Sequence, residues 1–205
     1  MTVLTIPPTR AKDMQRAKDF LFEVYGEQLW TEAQYLELSD RTNQLIELSE
    51  GRLAVLPMPT DEHQDLVWNV GEALKAWARK HRGRSFIAPF PVRLGPRKFR
   101  EPDVMLYSAE HWDRVAKQHG KPPDLVVEVL SPSTEKTDTD EKLAEYARAS
   151  IPEYWVVSVG MPHVRQYVLE EGQYRLNAEW GAGETVRAVA LPELEVVVDE
   201  IYRSE

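Results

Sequence analysis

The segment Leu125-Val126-Val127-Glu128-Val129-Leu130 is apolar except for one carboxylate at its centre. A carboxylate buried without a partner costs several kcal/mol, so such a residue is paired, protonated or bound to a cation. Two residues stand where they could neutralise it. Asp103 follows Pro102 about 25 residues upstream, and Lys142 lies in the segment that follows the apolar run. Two carboxylates and one lysine at a sheet edge are the inventory of a magnesium-dependent phosphodiesterase: the acids hold a hard cation, and the ammonium orients water or meets developing negative charge. Each residue also has a plainer use. Asp103 could begin a strand with its side chain in water, Glu128 could reach solvent from an edge, and Lys142 could pair with Asp138 at i, i+4 on a helix surface.

Neighbouring residues bear on that choice. Lys142 precedes Tyr146 by four, so the two share a helix face, with Leu143 and Ala147 beside them. This places the lysine stem along buried surface with its ammonium toward the strand end. Ser131-Pro132-Ser133-Thr134 turns from strand to helix, its hydroxyls and amides serving as caps or contacting a phosphate. Glu47 alternates with apolar residues in a short strand and reads equally as an inward carboxylate or a hairpin surface residue. His63 lies in the apolar stripe of a long helix, as a satisfied core histidine or as part of a site.

The elements that must position these groups follow from periodicity and punctuation. Met14, Ala17, Phe20-Leu21 and Val24 have helical spacing over residues 10–25. A short helix is expected after Thr31 as its N-cap. Residues 44–48 and 52–56 read as a hairpin turned at Gly51. A helix over residues 62–81, capped by Asp61 or Thr60, presents His63, Val67, Val70, Leu74 and Trp77 as one stripe, and Gly83 closes it. Strands are expected over 84–88, 91–94 and 99–107, with Pro102 tolerated near the start of the run that carries Asp103. A helix over 109–117 precedes the strand 125–130. The remainder reads as a helix over 138–150, a strand over 153–159, and a meander over 164–169, 173–176 and 195–198. Helix, hairpin, long helix, strands, buried strand, helix and strand make an α/β layered domain.

Composition narrows the field. The 205 residues, 42% of them hydrophobic and six of them tryptophan, supply a full core without a staple. The absence of cysteine excludes disulfides, thiolate zinc sites and a cysteine nucleophile, and fits a reducing compartment. No apolar run has the length of a signal peptide or a spanning helix, so the chain reads as soluble and cytoplasmic. The net charge of −9 argues against strong non-specific DNA affinity, although Lys75-Arg79-Lys80-Arg82-Arg84 and Arg93-Arg97-Lys98-Arg100 offer local basic clusters. No GxxxxGK[ST] or GxSxG motif is present, which argues against an NTP-driven subunit and a serine hydrolase.

In this order, ELSEGRL with Glu47, PMPTDEH with His63, EPDVMLY with Asp103, DLVVEVLSPST with Glu128, DTDEKLAEYARASIPEYWVV with Asp138, Lys142 and Tyr146, and LPELEVVVDEIY resemble the Uma-two family of restriction-endonuclease type, a branch of the PD-(D/E)XK nuclease superfamily. The resemblance covers about residues 30–202. It implies a restriction-endonuclease-like fold over residues 30–205: a mixed central sheet flanked by helices with a C-terminal strand meander, preceded by a partly helical extension over 1–29. It further implies a DNA endonuclease using Mg2+, with Mn2+ as substitute, whose metal ligands are Asp103, Glu128 and the Val129 carbonyl. The usual lysine position is Leu130 here, and the resemblance moves that role to Lys142. Glu47, His63, Asp138 and Tyr146 fall at supporting positions. Two subunits cutting two strands imply a homodimer. A second reading is a catalytically inactive nuclease fold that binds nucleic acid or serves assembly.

Overall fold

The computed structural model describes residues 29–42, 44–130 and 135–203, with the backbone alone over 135–139. The expected helix over residues 10–25, the turn over 131–134 and the side chain of Asp138 lie outside the described residues. Helix α1 (Glu32–Ser39) opens with Thr31, whose side chain accepts from Gln34 N–H while Gln34 accepts from Thr31 N–H, a reciprocal capping box. Strands β1 (Ile46–Ser49) and β2 (Arg52–Val55) form the expected hairpin. Both turn residues have positive φ, 52° at Glu50 and 82° at Gly51, which suits the twist of a two-residue hairpin loop.

Helix α2 (Asp61–His81) is capped by Thr60, whose hydroxyl accepts from His63 N–H at 3.2 Å. At its far end the left-handed residue is Arg82, with φ 57°, rather than the expected glycine. Gly83 serves packing instead: a Cβ there would stand 2.5 Å from the Tyr107 carbonyl.

Strands β3 (Arg84–Ile87), β4 (Val92–Gly95), β5 (Lys98–Arg100) and β6 (Val104–Tyr107) follow. The continuous strand expected over 99–107 is therefore two. Strand β5 joins a small antiparallel sheet of order β2-β1-β5-β4, while β6 enters the main sheet, and the chain crosses between them at Glu101-Pro102-Asp103. Pro102 cannot donate to a ladder, which fits the break at that point. The expected helix over 109–117 is a 3-10 helix over Ala109–Arg114 with a kink at His111.

Strand β7 (Leu125–Leu130), helix α3 (Glu135–Arg148) and strands β8 (Glu153–Ser158), β9 (His163–Glu170) and β10 (Gln173–Gly181) complete a six-stranded sheet of order β10-β9-β8-β7-β6-β3. Strands β7 and β8 are parallel and the other pairs antiparallel, so the sheet is mixed. The expected meander divides: β9 and β10 extend this sheet, whereas β12 (Glu195–Val197) pairs with β11 (Thr185–Arg187), a strand missed in the sequence, in a separate two-stranded sheet. A short helix α4 (Val198–Ile201) ends the described chain.

Alternation along β7 sends its side chains to two cores. Leu125, Val127 and Val129 pack with Leu66, Val70 and Leu74 of α2 and with Ile201 of α4. Val126 and Leu130 face the other way, onto Tyr146 of α3, Ile151 and Tyr154. Glu128, between them, must point to the α3 side. No helix among the described residues is long and apolar enough to cross a membrane.

Candidate active site

Register sets the two acids side by side. Strands β6 and β7 pair as Leu106 with Leu125, Met105 with Val126, and Val104 with Val127. One step further, Asp103 stands opposite Glu128 on the same face, where cross-strand Cβ atoms lie about 5 Å apart. Two steps further, Pro102 stands opposite Val129. The Leu130 carbonyl accepts from Val159 N–H on the β8 side at 2.9 Å, so alternation turns both backbone groups of Val129 toward β6. There Pro102 has no N–H to offer its carbonyl. The Val129 N–H donates instead to Asp103 Oδ2 at 2.8 Å. The acids and one backbone carbonyl thus meet at a notch where β7 outruns β6.

Helix α3 closes the notch with the pair its periodicity put on one face. Lys142 Nζ lies 2.8 Å from Glu128 Oε2, and the Tyr146 hydroxyl donates to Glu128 Oε1 at 2.5 Å. From the opposite side, His63 in the first turn of α2 brings Nε2 within 3.3 Å of Asp103 Oδ1, without hydrogen-bond alignment. Both ring nitrogens of His63 are covered and have no hydrogen-bond partner. Leaving such a group unsatisfied costs on the order of 1–3 kcal/mol, so His63 is not the satisfied core histidine that its apolar stripe suggested.

The electrostatics of the recess are short of positive charge. Two carboxylates face one lysine. Burial and the adjacent Glu128 push the Asp103 carboxyl up to about 8, against the opposing pull of Lys142 and the Val129 N–H. Lys142 is held well above its ordinary range: burial opposes its charge, but Glu128, Glu47 and Asp103 outweigh burial. The Tyr146 hydroxyl is likewise pushed up by burial and Glu128, so it stays a donor. Burial lowers the His63 imidazole, against the opposing pull of Glu128. Asp103, His63 and Lys142 are 16–17% exposed at their side chains, so the recess opens narrowly to solvent.

Glu153 shows what a purely structural buried carboxylate looks like in this fold. It accepts from Trp155 Nε1, Gln166 Nε2 and the N–H groups of Val189 and Ala190, all within 2.8 Å. Four neutral donors saturate it. Among the described residues Asp103 accepts from one N–H group, and burial and the neighbouring Glu128 push its carboxyl up. A divalent cation would offset the charge of the two adjacent acids, and carboxylate and carbonyl oxygens are the donors that magnesium and manganese favour. The residues fit such a cation, although no three His, Asp or Glu side chains among the described residues converge as a ready-made cage.

Glu47 lies next to this site but is committed elsewhere. It is buried and accepts from Arg100 Nη1 at 2.5 Å and from Glu101 N–H at 3.2 Å. Arg100 also donates to Glu145 at 2.6 Å and Glu141 at 2.7 Å, and Lys98 donates to Glu145 at 2.8 Å. These pairs tie the small sheet to α3. Arg93 in turn grips Glu32 through two donors. The basic cluster 93–100 is therefore largely paired with acids. Arg100 was missed as a buried residue because its signal, a lone arginine two residues after Lys98 on a strand, equals that of a surface charge. Glu101 was missed too: it is 4% exposed, and burial and Glu47 push its carboxyl up to about 8.

A family described as "Uma2: Putative restriction endonuclease" matches residues 32–199. The structure is similar, with a TM-score of 0.67 at 17% identity, to the crystal structure of a "putative nuclease belonging to DUF820 from Anabaena variabilis ATCC 29413"; the likeness covers 84% of this chain and 97% of that one. It shows a restriction-endonuclease-like fold. No curated protein matches the chain in sequence.

Proposed function

Given that the chain belongs to the Uma2 family of restriction-endonuclease type, we propose that it is a divalent-metal-dependent DNA endonuclease acting through Asp103, Glu128 and Lys142. The observation that carries this reading is the convergence of Asp103 and Glu128 on one notch with Lys142 Nζ 2.8 Å from Glu128. Asp103, Glu128 and the Val129 carbonyl would hold Mg2+, or Mn2+ in its place. A cation so bound polarises a phosphoryl oxygen and acidifies a water ligand.

The other roles belong to the chain. Lys142 keeps its proton, so it serves as a fixed positive charge and donor, orienting the attacking water or meeting charge on the phosphoryl oxygens. It does so from a helix, since Leu130 fills the strand position where the superfamily carries its lysine. Tyr146 holds Glu128 from the other oxygen and limits its rotation. Glu47 and Arg100 position α3, and through it Lys142. Two copies of the chain acting together would cut both strands of a duplex.

The test is cleavage of duplex and single-stranded DNA in Mg2+ and in Mn2+. Wild type cuts, Glu128→Gln loses both cleavage and cation uptake, and Lys142→Met loses cleavage alone. Wild type that leaves every substrate intact, with calorimetry showing no uptake that depends on Glu128, would refute the enzyme. The second reading, an inactive nuclease fold that binds nucleic acid or serves assembly, would then stand. It draws on Leu130 in the strand position of the superfamily's lysine and on the net charge of −9.

A further inference from the structure

We propose that His63 is drawn in through Nε2 as a third side-chain ligand when the cation binds, since without it no three such side chains among the described residues converge, and that it biases the site toward first-row transition cations such as manganese over magnesium; this rests on the metal-dependent reading above. Among the described residues, His63 is the histidine with both ring nitrogens covered and without a hydrogen-bond partner. His111 contacts Asp124 at 2.6 Å, His119 approaches the Gly120 carbonyl and His163 lies near Glu179; His81 has Nε2 alone buried without a hydrogen bond, and it stacks on Trp77 at the opposite end of α2. His63 is also held in place. Its N–H is bound by the Thr60 cap in the first turn of α2, a helix anchored by Leu66, Val67 and Val70 in the core.

The separation of Nε2 and Asp103 Oδ1 suits a shared cation better than a direct bond. At 3.3 Å they are too poorly aligned for a hydrogen bond. Two donors on adjacent vertices of an octahedron with bonds of about 2.1 Å lie about 3 Å apart, close to what is found. Of the two Asp103 oxygens, Oδ2 is taken by the Val129 N–H, so Oδ1 is the one left for a cation, and Oδ1 is the one beside His63. Imidazole nitrogen is a softer donor than carboxylate oxygen. Magnesium takes it reluctantly, whereas the transition series accepts it.

The experiment pairs direct coordination with affinity. Mn2+ is bound to wild-type protein and to protein made with 15N-labelled histidine, and electron spin-echo envelope modulation is recorded. Calorimetry then measures Mn2+ and Mg2+ uptake by wild type, His63→Leu and Glu128→Gln. The expected result is a histidine nitrogen coupling to Mn2+ that changes with the label and vanishes in His63→Leu. That variant should bind Mn2+ about tenfold or more weakly, with Mg2+ affinity within roughly threefold of wild type. Cation uptake that depends on Glu128 but shows no histidine coupling, with His63→Leu equal to wild type, overturns the ligand and leaves the metal-dependent reading intact. No uptake dependent on Glu128 overturns both. The labelled wild type needs no substitution, so a poorly folded variant does not blunt the result.

Discussion

Replacing Lys142 with methionine isolates the electrostatics of the recess, because the stem keeps its volume while the charge is removed. In the wild type the ammonium lies 2.8 Å from Glu128, whose side chain is 3% exposed, and its charge also opposes the rise of Asp103. Without it, Glu128 keeps the Tyr146 hydroxyl and no positive partner among the described residues. Removing one member of a buried ion pair costs about 3–5 kcal/mol, a large share of the roughly 5–15 kcal/mol that holds a domain together. The assay is urea unfolding at pH 7 with EDTA, followed by tryptophan fluorescence and compared with wild type. A ligand at about a hundred times its dissociation constant adds about 2.7 kcal/mol to the folded state. Mn2+ should therefore stabilise the variant. A loss below about 1 kcal/mol in EDTA, the range of a surface pair, would refute the reasoning by showing that Lys142 neutralises nothing.

Glu101 offers a test by pH. Its folded carboxyl titrates near 8 against an ordinary 4.5, so the folded state binds this proton more tightly than the unfolded chain. That stability is fully present below about 4.5 and is lost as pH rises through about 8. At ~1.4 kcal/mol for each pH unit the whole effect is about 5 kcal/mol. Glu101→Gln should therefore flatten the decline in stability between pH 5 and 9, as measured by denaturation at stepped pH; a variant with the same slope as wild type would exclude Glu101 as its source. Tyr146→Phe removes one charge-assisted hydrogen bond to Glu128 and should cost about 1.5–3 kcal/mol in the same urea assay. Arg100→Met strips Glu47 of its partner while Lys98 still holds Glu145. The expected loss is about 3–5 kcal/mol, read as a lowered thermal midpoint.

Much of the fold was legible where local pattern and tertiary role coincide. Six residues with one acid among aliphatics read either as a strand covered on both faces or as an edge that lets the acid reach water, and β7 is the former, buried at every position. The i, i+4 spacing of Lys142 and Tyr146 was enough to place both on one face of α3, and both reach Glu128. What escaped depended on partners distant in the chain. Nothing local distinguishes Phe99 in the small sheet from Val104 in the main one, so residues 99–107 read as a single run. Arg100 and Lys98 looked like surface charges because the acids that bury them, Glu141 and Glu145, are some forty residues away. His63 is a mixed case: its helix stripe said it turned inward, but not that it would lack partners there.

The proline before Asp103 has a consequence for where ligands can sit. A β-ladder lengthens as long as each new residue brings a donor, and at position 102 that supply stops. A residue with an N–H there would offer the Val129 carbonyl the ladder partner that proline withholds. The cleft is thus a sheet left unfinished by its own imino acid. Its location is written in the main chain, so exchanging the side chains around it can change what is captured without changing where.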